Sequence, residues 1–158
     1  MAVGFARHMG FHTVAIGRGG EKEKLAKDLG AHVYIDTAVD DAAAVLQRWG
    51  GARAILATAP SAKAMGPLVS GLGVRGKLIV IGVPDDPIQL SAFPLVFGGR
   101  SIYGSLAGTA IDNEDTLAFS VLENIRPMIE TVPLEQAADG YARMMQGKAR
   151  FRMVLVID

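Results

Sequence analysis

The sequence predicts an α/β fold built on an open, doubly wound parallel sheet, and three observations carry that expectation. Short β-rich runs alternate with longer helical patterns from end to end, so that strand and helix recur about every 20–25 residues, as successive right-handed βαβ units do. Two runs, AILAT at 54–58 and KLIVIG at 77–82, are continuously apolar rather than alternating, the pattern of strands covered on both faces. Many of the 19 glycines stand singly or in pairs at the ends of such runs, where tight turns and helix stops need a positive φ.

In chain order, residues 1–10 (MAVGFARHMG) read as the body of a helix already under way, with no N-cap residue opening it. A strand is expected at 12–16. The next helix, 21–29, carries Glu21 and Glu23 in its first turn, where they complement the macrodipole, and stops at Gly30, a good C′ residue. Strands at 32–35 and 53–57 flank a helix at 38–48, and a further helix is expected at 61–70.

Gly71-Leu72-Gly73-Val74-Arg75-Gly76 is the one literal match to the glycine fingerprint of phosphate loops. It follows a helix and precedes a strand, the reverse of the order that phosphate binding needs, so it is read as a helix-to-strand turn. Strands are expected next at 77–82, 101–106, 129–132 and 151–157. Helices are expected at 112–123, which opens on four polar or acidic residues, and at 134–146. Asp85 and Asp86, between Pro84 and Pro87, read as a turn.

The first strand and the glycine-rich loop of such a domain are expected to lie upstream of residue 1. The expectation is a Rossmann-like sheet lacking its first strand, which lies in the middle of the order 3-2-1-4-5-6. If the chain stands alone, the two half-sheets are then expected to close directly or to take a strand from another chain; the third arrangement is a chain that is part of a larger protein.

Composition narrows the function. A chain of 158 residues suits one domain with a sizeable core. Its 16 basic and 16 acidic residues cancel without long runs, which argues against nucleic acid or an anionic membrane as partner. No apolar stretch approaches the roughly 18–20 positions of a membrane span, and no signal-peptide pattern opens the chain. The reading is a soluble, cytoplasmic protein. There is no cysteine, and His8, His12 and His32 have no metal-like spacing. No catalytic residue and no metal ligand is assigned to any position.

The candidate site lies at the strand ends. In sheets of this type the residue ending the second strand discriminates cofactors: a carboxylate accepts from the ribose 2′-hydroxyl of NAD, whereas an arginine suits the 2′-phosphate of NADP. Here the strand VAI runs into Gly17 and Arg18, which favours NADP, with NAD as runner-up. Glu21 is close enough in sequence to compete for Arg18. Thr58, Ala59 and Pro60 follow one strand, and Gly82, Val83 and Pro84 follow another, again at the carboxyl ends where open α/β sheets bind ligands.

The ordered segments AVGFARHMGFHTVAI, EKEKLAKDLGAHVYID, GKLIVIGVP, RSIYGSLAGT and GKARFRMVLVI resemble the medium-chain dehydrogenase/reductase superfamily, specifically its zinc-containing alcohol dehydrogenases. The resemblance implies a partial nucleotide-binding domain over 1–158, with 126–158 similar to the segment that returns toward a catalytic domain. It implies that Gly17 and Arg18 stand at the ribose discriminator and that Thr58, with Ala59 beside it, lies under the nicotinamide ribose. Ile81, Gly82 and Val83 would read the carboxamide, and Ser105 and Leu106 would lie beside the nicotinamide. Arg152 would return to the pyrophosphate, with Arg150 as the competing choice.

The implied activity is hydride transfer between a small alcohol and its carbonyl, with NADP or NAD, in an enzyme whose zinc is held outside this chain; this chain alone is expected to be inactive. The strand at 101–106 resembles an edge strand that joins two subunits into a homo-oligomer. A zinc-free quinone or enoyl reductase of the same superfamily, and a non-catalytic nucleotide-binding or structural module, remain the alternatives; a flavodoxin-like domain suits the alternation but not the ordered segments.

Overall fold

The computed structural model describes residues 1–157. Helix α1 (Ala2–His8) leads into β1 (Val14–Gly17), a 3-10 turn (Gly20–Lys22), α2 (Glu23–Asp28), β2 (Val33–Asp36), α3 (Ala42–Arg48) and β3 (Ala52–Ala57). Then come α4 (Ala62–Leu68), a second 3-10 turn (Val69–Gly71), β4 (Leu72–Val80), α5 (Ala92–Gly98) and β5 (Ser101–Gly104). The chain continues through α6 (Ala110–Leu122), β6 (Ile129–Pro133), a 3-10 turn (Leu134–Gln136), α7 (Ala137–Met145) and β7 (Arg152–Val156). The alternation and the parallel pairing are as expected: every ladder among the described residues is parallel.

The strands form three sheets, β1-β2, β3-β4-β5 and β6-β7. Direct closure of the two half-sheets, one of the three arrangements weighed, is not found: among the described residues β1 pairs only with β2, and β3 only with β4. A shared core joins them instead. Ile35 of β2 and Ala42 and Leu46 of α3 cluster with Ile55 and Ala57 of β3, and with Met65, Val69, Leu72 and Leu78. Val14 and Ile16 of β1 pack against the same cluster. Helix α3 thus packs its side chains against residues of both half-sheets. Each large side chain buried there contributes about 1.5–3 kcal/mol through removal of apolar surface from water.

Helix starts move to the capping residues. The helix expected from 38 begins at Ala42, because Asp41 accepts from the amides of Ala43 and Ala44, while Ala38 N–H donates to Asp36. Ser61 caps α4 through Ala64 N–H. Thr109 and Asp112 form a capping box, so α6 starts at Ala110 rather than at 112. Gly30, with φ +106°, stops the turn after α2 as expected.

Two expectations fail outright. No helix was expected between the strands KLIVIG and RSIYG, yet α5 is there, capped by Ser91 through Phe93 N–H and closed by Gly99 at φ +56°. Pro94 in its sequence is tolerated because it lies in the first turn, where no intrahelical donor is lost. Residues 72–76 are not a plain turn either: β4 begins at Leu72, and its register against β3 shifts between Ala52 and Ala54, which face Leu72 and Lys77. The glycines there serve close backbone approach, since a Cβ on Gly51 would lie 2.4 Å from Gly73 N and one on Gly76 2.7 Å from Ala52 O.

Candidate functional site

The strand expected at 77–82 ends at Val80, and the one expected at 101–106 ends at Gly104, so Ile81, Gly82, Ser105 and Leu106 lie past the ladder. Leaving the ladder is what lets their amides turn. Ile81 N–H and Gly82 N–H both donate to Ala57 O, at 3.0 and 2.9 Å, which folds the exit of β4 over the end of β3. A Cβ on Gly82 would lie 2.6 Å from Thr58 O and 2.9 Å from Ala59 C, so only glycine permits that approach. Ser105 N–H donates to Val80 O at 3.0 Å and ties the exit of β5 to its neighbour. The structure therefore brings Thr58, Ala59, Ile81, Gly82 and Ser105 to one edge of the β3-β4-β5 sheet.

Val83 and Leu106 continue from that edge into solvent, 84% and 96% exposed. A cavity of about 260 Å³ lined by Lys77, Ile79, Tyr103, Gly104 and Ser105 opens beside it. The larger cavity, about 560 Å³, lies elsewhere, against Phe5, Met9, Asp115, Thr116 and Phe119 of α1 and α6.

Gly17 and Arg18 form a second cluster at the carboxyl ends of β1 and β2. The loop is gripped from several sides. Thr37 N–H donates to Gly17 O at 2.8 Å, Lys22 Nζ to Arg18 O at 2.6 Å, Tyr34 Oη to Gly19 O at 2.8 Å, and Gly19 N–H to Asp36 Oδ1 at 2.8 Å. Gly19, at φ +99°, supplies the positive φ that the bend needs. The Arg18 guanidinium engages no hydrogen bond or ion pair among the described residues. Glu21 does not compete for it; its carboxylate lies 3.9 Å from Lys22 Nζ instead.

Asp36 and Tyr34 are the residues that reading the strand VAI alone missed. A carboxylate does reach the loop, from the end of the neighbouring strand rather than from the strand that carries Arg18. The Ala38 and Gly19 amides, followed by the charges of Lys22 and Arg18, hold the Asp36 carboxyl below its ordinary value. Burial, and then the Asp36, Glu21 and Glu23 charges, push the Tyr34 phenol up, which keeps it a neutral donor. The signal in the sequence was the strand-terminal Asp of YID two residues after a tyrosine, a period that puts both side chains on one face.

Arg152 opens β7 opposite Ile129, and it is exposed. No hydrogen bond among the described residues joins it to the other candidates. Its rival Arg150 donates its amide to Glu130 Oε1 at 2.7 Å. Nothing among the described residues gathers three or more metal-ligating side chains, and no helix there is long and apolar enough to cross a membrane.

Comparison with known proteins gives this geometry a context. An alcohol dehydrogenase of Penicillium expansum, patD, is 41% identical over 157 residues, covering 99% of this chain and 46% of its own length. An alcohol dehydrogenase of Geobacillus stearothermophilus is 34% identical over 159 residues, covering 100% and 47%. Among solved structures, an alcohol dehydrogenase zinc-binding domain protein from Burkholderia ambifaria superposes with a TM-score of 0.87 at 24% identity, over 98% of this chain and 45% of that one, a likeness of fold. The chain spans about half the length of the curated relatives it matches. The family described as zinc-binding dehydrogenase matches residues 1–123, which is most of the chain, and the protein belongs to that family.

Proposed function

We propose that this chain is the nicotinamide-dinucleotide-binding portion of an alcohol dehydrogenase-like oxidoreductase, and that it takes NADP in preference to NAD. The observation that carries the reading is the pair of strand-end clusters: a backbone edge at Thr58, Gly82 and Ser105, and a gripped loop that presents an unengaged Arg18. Their chemistry fits the two ends of a dinucleotide. Glycine at 82 lets the backbone leaving β4 lie directly against that of Thr58 and Ala59, so the two strand ends present one continuous backbone edge to a ligand. A free guanidinium suits a phosphate.

On this reading Gly17 and Arg18 hold the adenosine ribose and its 2′-phosphate. Thr58 and Ala59 lie under the nicotinamide ribose, and the backbone of Ile81, Gly82 and Val83 reads the carboxamide. Ser105 and Leu106 border the ring, and Arg152 takes the pyrophosphate, with Arg150 as its rival. Residues 1–158 form a partial nucleotide-binding domain, with 126–158 as the segment returning toward a catalytic domain. The bound nicotinamide supplies hydride transfer to or from a small alcohol or carbonyl carbon. These residues orient it and exclude water from one face.

The residues present do not fit a zinc ion: the chain has no cysteine, and the described residues show no ligating cluster. Any zinc would be held by residues outside this chain, and no step is assigned to it. The exposed edge of β5, Ser101–Gly104, is the surface through which two copies would pair, because it bears backbone groups unpaired among the described residues.

Calorimetric titration with NADPH and then NADH tests the reading. Saturable binding, tighter for NADPH and reduced toward the NADH value in Arg18→Ala, is the expected result. Equal affinity for both, or equal losses in the variant, rejects the NADP preference; binding of neither rejects the chain as a cofactor module.

A further inference from the structure

We propose that Asp36 and Tyr34 are positioning residues for phosphate discrimination: their side chains clamp the two faces of the Gly19 peptide bonds and so hold the Arg18 loop in the one shape that points a guanidinium at a 2′-phosphate. The inference rests on the proposed role of Arg18 and adds residues to which neither the sequence nor the family resemblance assigned a part.

The geometry is specific. Asp36 Oδ1 accepts two amides at once, Gly19 N–H at 2.8 Å and Ala38 N–H at 2.9 Å, and so ties the loop to the turn that follows its own strand. Tyr34 Oη donates to Gly19 O at 2.8 Å, so the residue after Arg18 is held at both its donor and its acceptor. The two side chains alternate along β2 around the buried Ile35, which anchors the strand in the core at 2% exposure. A Cβ on Gly17 would lie 2.6 Å from Tyr34 Oη, so glycine at 17 is what lets the hydroxyl reach Gly19.

The clamp therefore transmits the rigidity of a core strand to an exposed loop. Without it, Arg18 remains but must be ordered at the moment of binding, a cost that a preset loop avoids. The carboxylate acts here as a hydrogen-bond acceptor. An asparagine carbonyl at the same place accepts the same two amides and carries no charge to oppose a phosphate.

The test uses adenosine 2′,5′-bisphosphate and 5′-AMP as probes, titrated calorimetrically into the full chain and three variants. The unaltered chain is expected to prefer the bisphosphate by about tenfold or more, the size of one charge-assisted contact. Asp36→Ala is expected to abolish most of that preference with little change in AMP affinity, Tyr34→Phe to reduce it about threefold, and Asp36→Asn to retain or raise it. A role in overall stability alone would lower the unfolding midpoint and leave the ratio untouched.

A preference in the unaltered chain that survives both Asp36→Ala and Tyr34→Phe overturns the positioning role and leaves Arg18 standing. No preference in the unaltered chain overturns the Arg18 reading, and the clamp with it. Should Asp36→Ala not fold, Tyr34→Phe decides alone: an unchanged ratio overturns the inference.

Discussion

The two helix layers of this protein differ in what they bury. Helices α3 and α4 and the turn after them sink Ala42, Leu46, Met65 and Val69 into the core against Ile55, Ala57 and Leu78. Helices α1 and α6 bury no residue at all. Their apolar side chains are present, with Ile111, Leu117, Val121 and Leu122 of α6 between 60% and 82% exposed. Apolar composition alone does not place a helix in a core; a facing surface must receive it. Between α1 and α6 that surface amounts to the Phe5–Phe119 stack, with centroids 5.9 Å apart, and the His8–Glu123 contact at 3.0 Å.

The contrast between the layers is tested most severely by Leu78→Ala, at a fully buried position in the central strand. It is expected to cost about 2–5 kcal/mol in urea unfolding, the range for emptying a core leucine site. Leu117→Ala, 67% exposed on α6, should stay within about 0.5 kcal/mol. Equal losses would mean that the α6 layer is packed in solution as tightly as the α3–α4 layer. Between these lies Asp41→Ala, which removes the acceptor for two amides at the start of α3 and is expected to cost about 0.5–2 kcal/mol by the same measurement.

The smallest expected effect is a pH response at the Gly17–Gly19 loop. Asp36 has its carboxyl held below the ordinary 3.8 by amide donors that favour the charged form. A depressed folded value means that its contribution is complete above 3.8 and lost only as pH falls through the lower folded value. The Gly19 and Ala38 amide resonances should therefore titrate together with a midpoint below 3.8. A midpoint at or above that value would show that the carboxylate is not gripped.

The fold was legible because its signal is local and periodic. Continuous apolar runs such as AILAT marked doubly covered strands, and Gly30 marked a helix stop. Helix α5 was missed although Ser91 and Gly99 bracket it with ordinary capping chemistry. Its seven residues, AFPLVFG, include no polar side chain, so they show no amphipathic helical period.

The site was legible in part. Gly17, Arg18, Thr58 and Gly82 stand out because each comes at or just past the end of an apolar run. Their hydrogen bonds do not, because Gly82 meets Ala57 and Thr58, and Gly19 meets Asp36 and Tyr34, across strand pairs remote in sequence. Arg152 shows the converse: the family resemblance brought it into the site, and no hydrogen bond among the described residues links it to the strand ends. The parallel pairing of the strands followed from their alternation with helices, but the packing of α3 against both half-sheets depends on side-chain volumes that no pattern encodes.

The two-cluster site is tested most directly by amide hydrogen exchange of the intact chain with and without saturating NADPH. New protection is expected at Gly17–Gly19 with its clamp at Asp36–Ala38, at the edge formed by Thr58, Ile81–Val83 and Ser105–Leu106, and at Arg152 of β7. Protection centred instead on the α1–α6 cavity around Phe5 and Phe119, with the strand ends unchanged, would place the cofactor elsewhere and overturn the assignment.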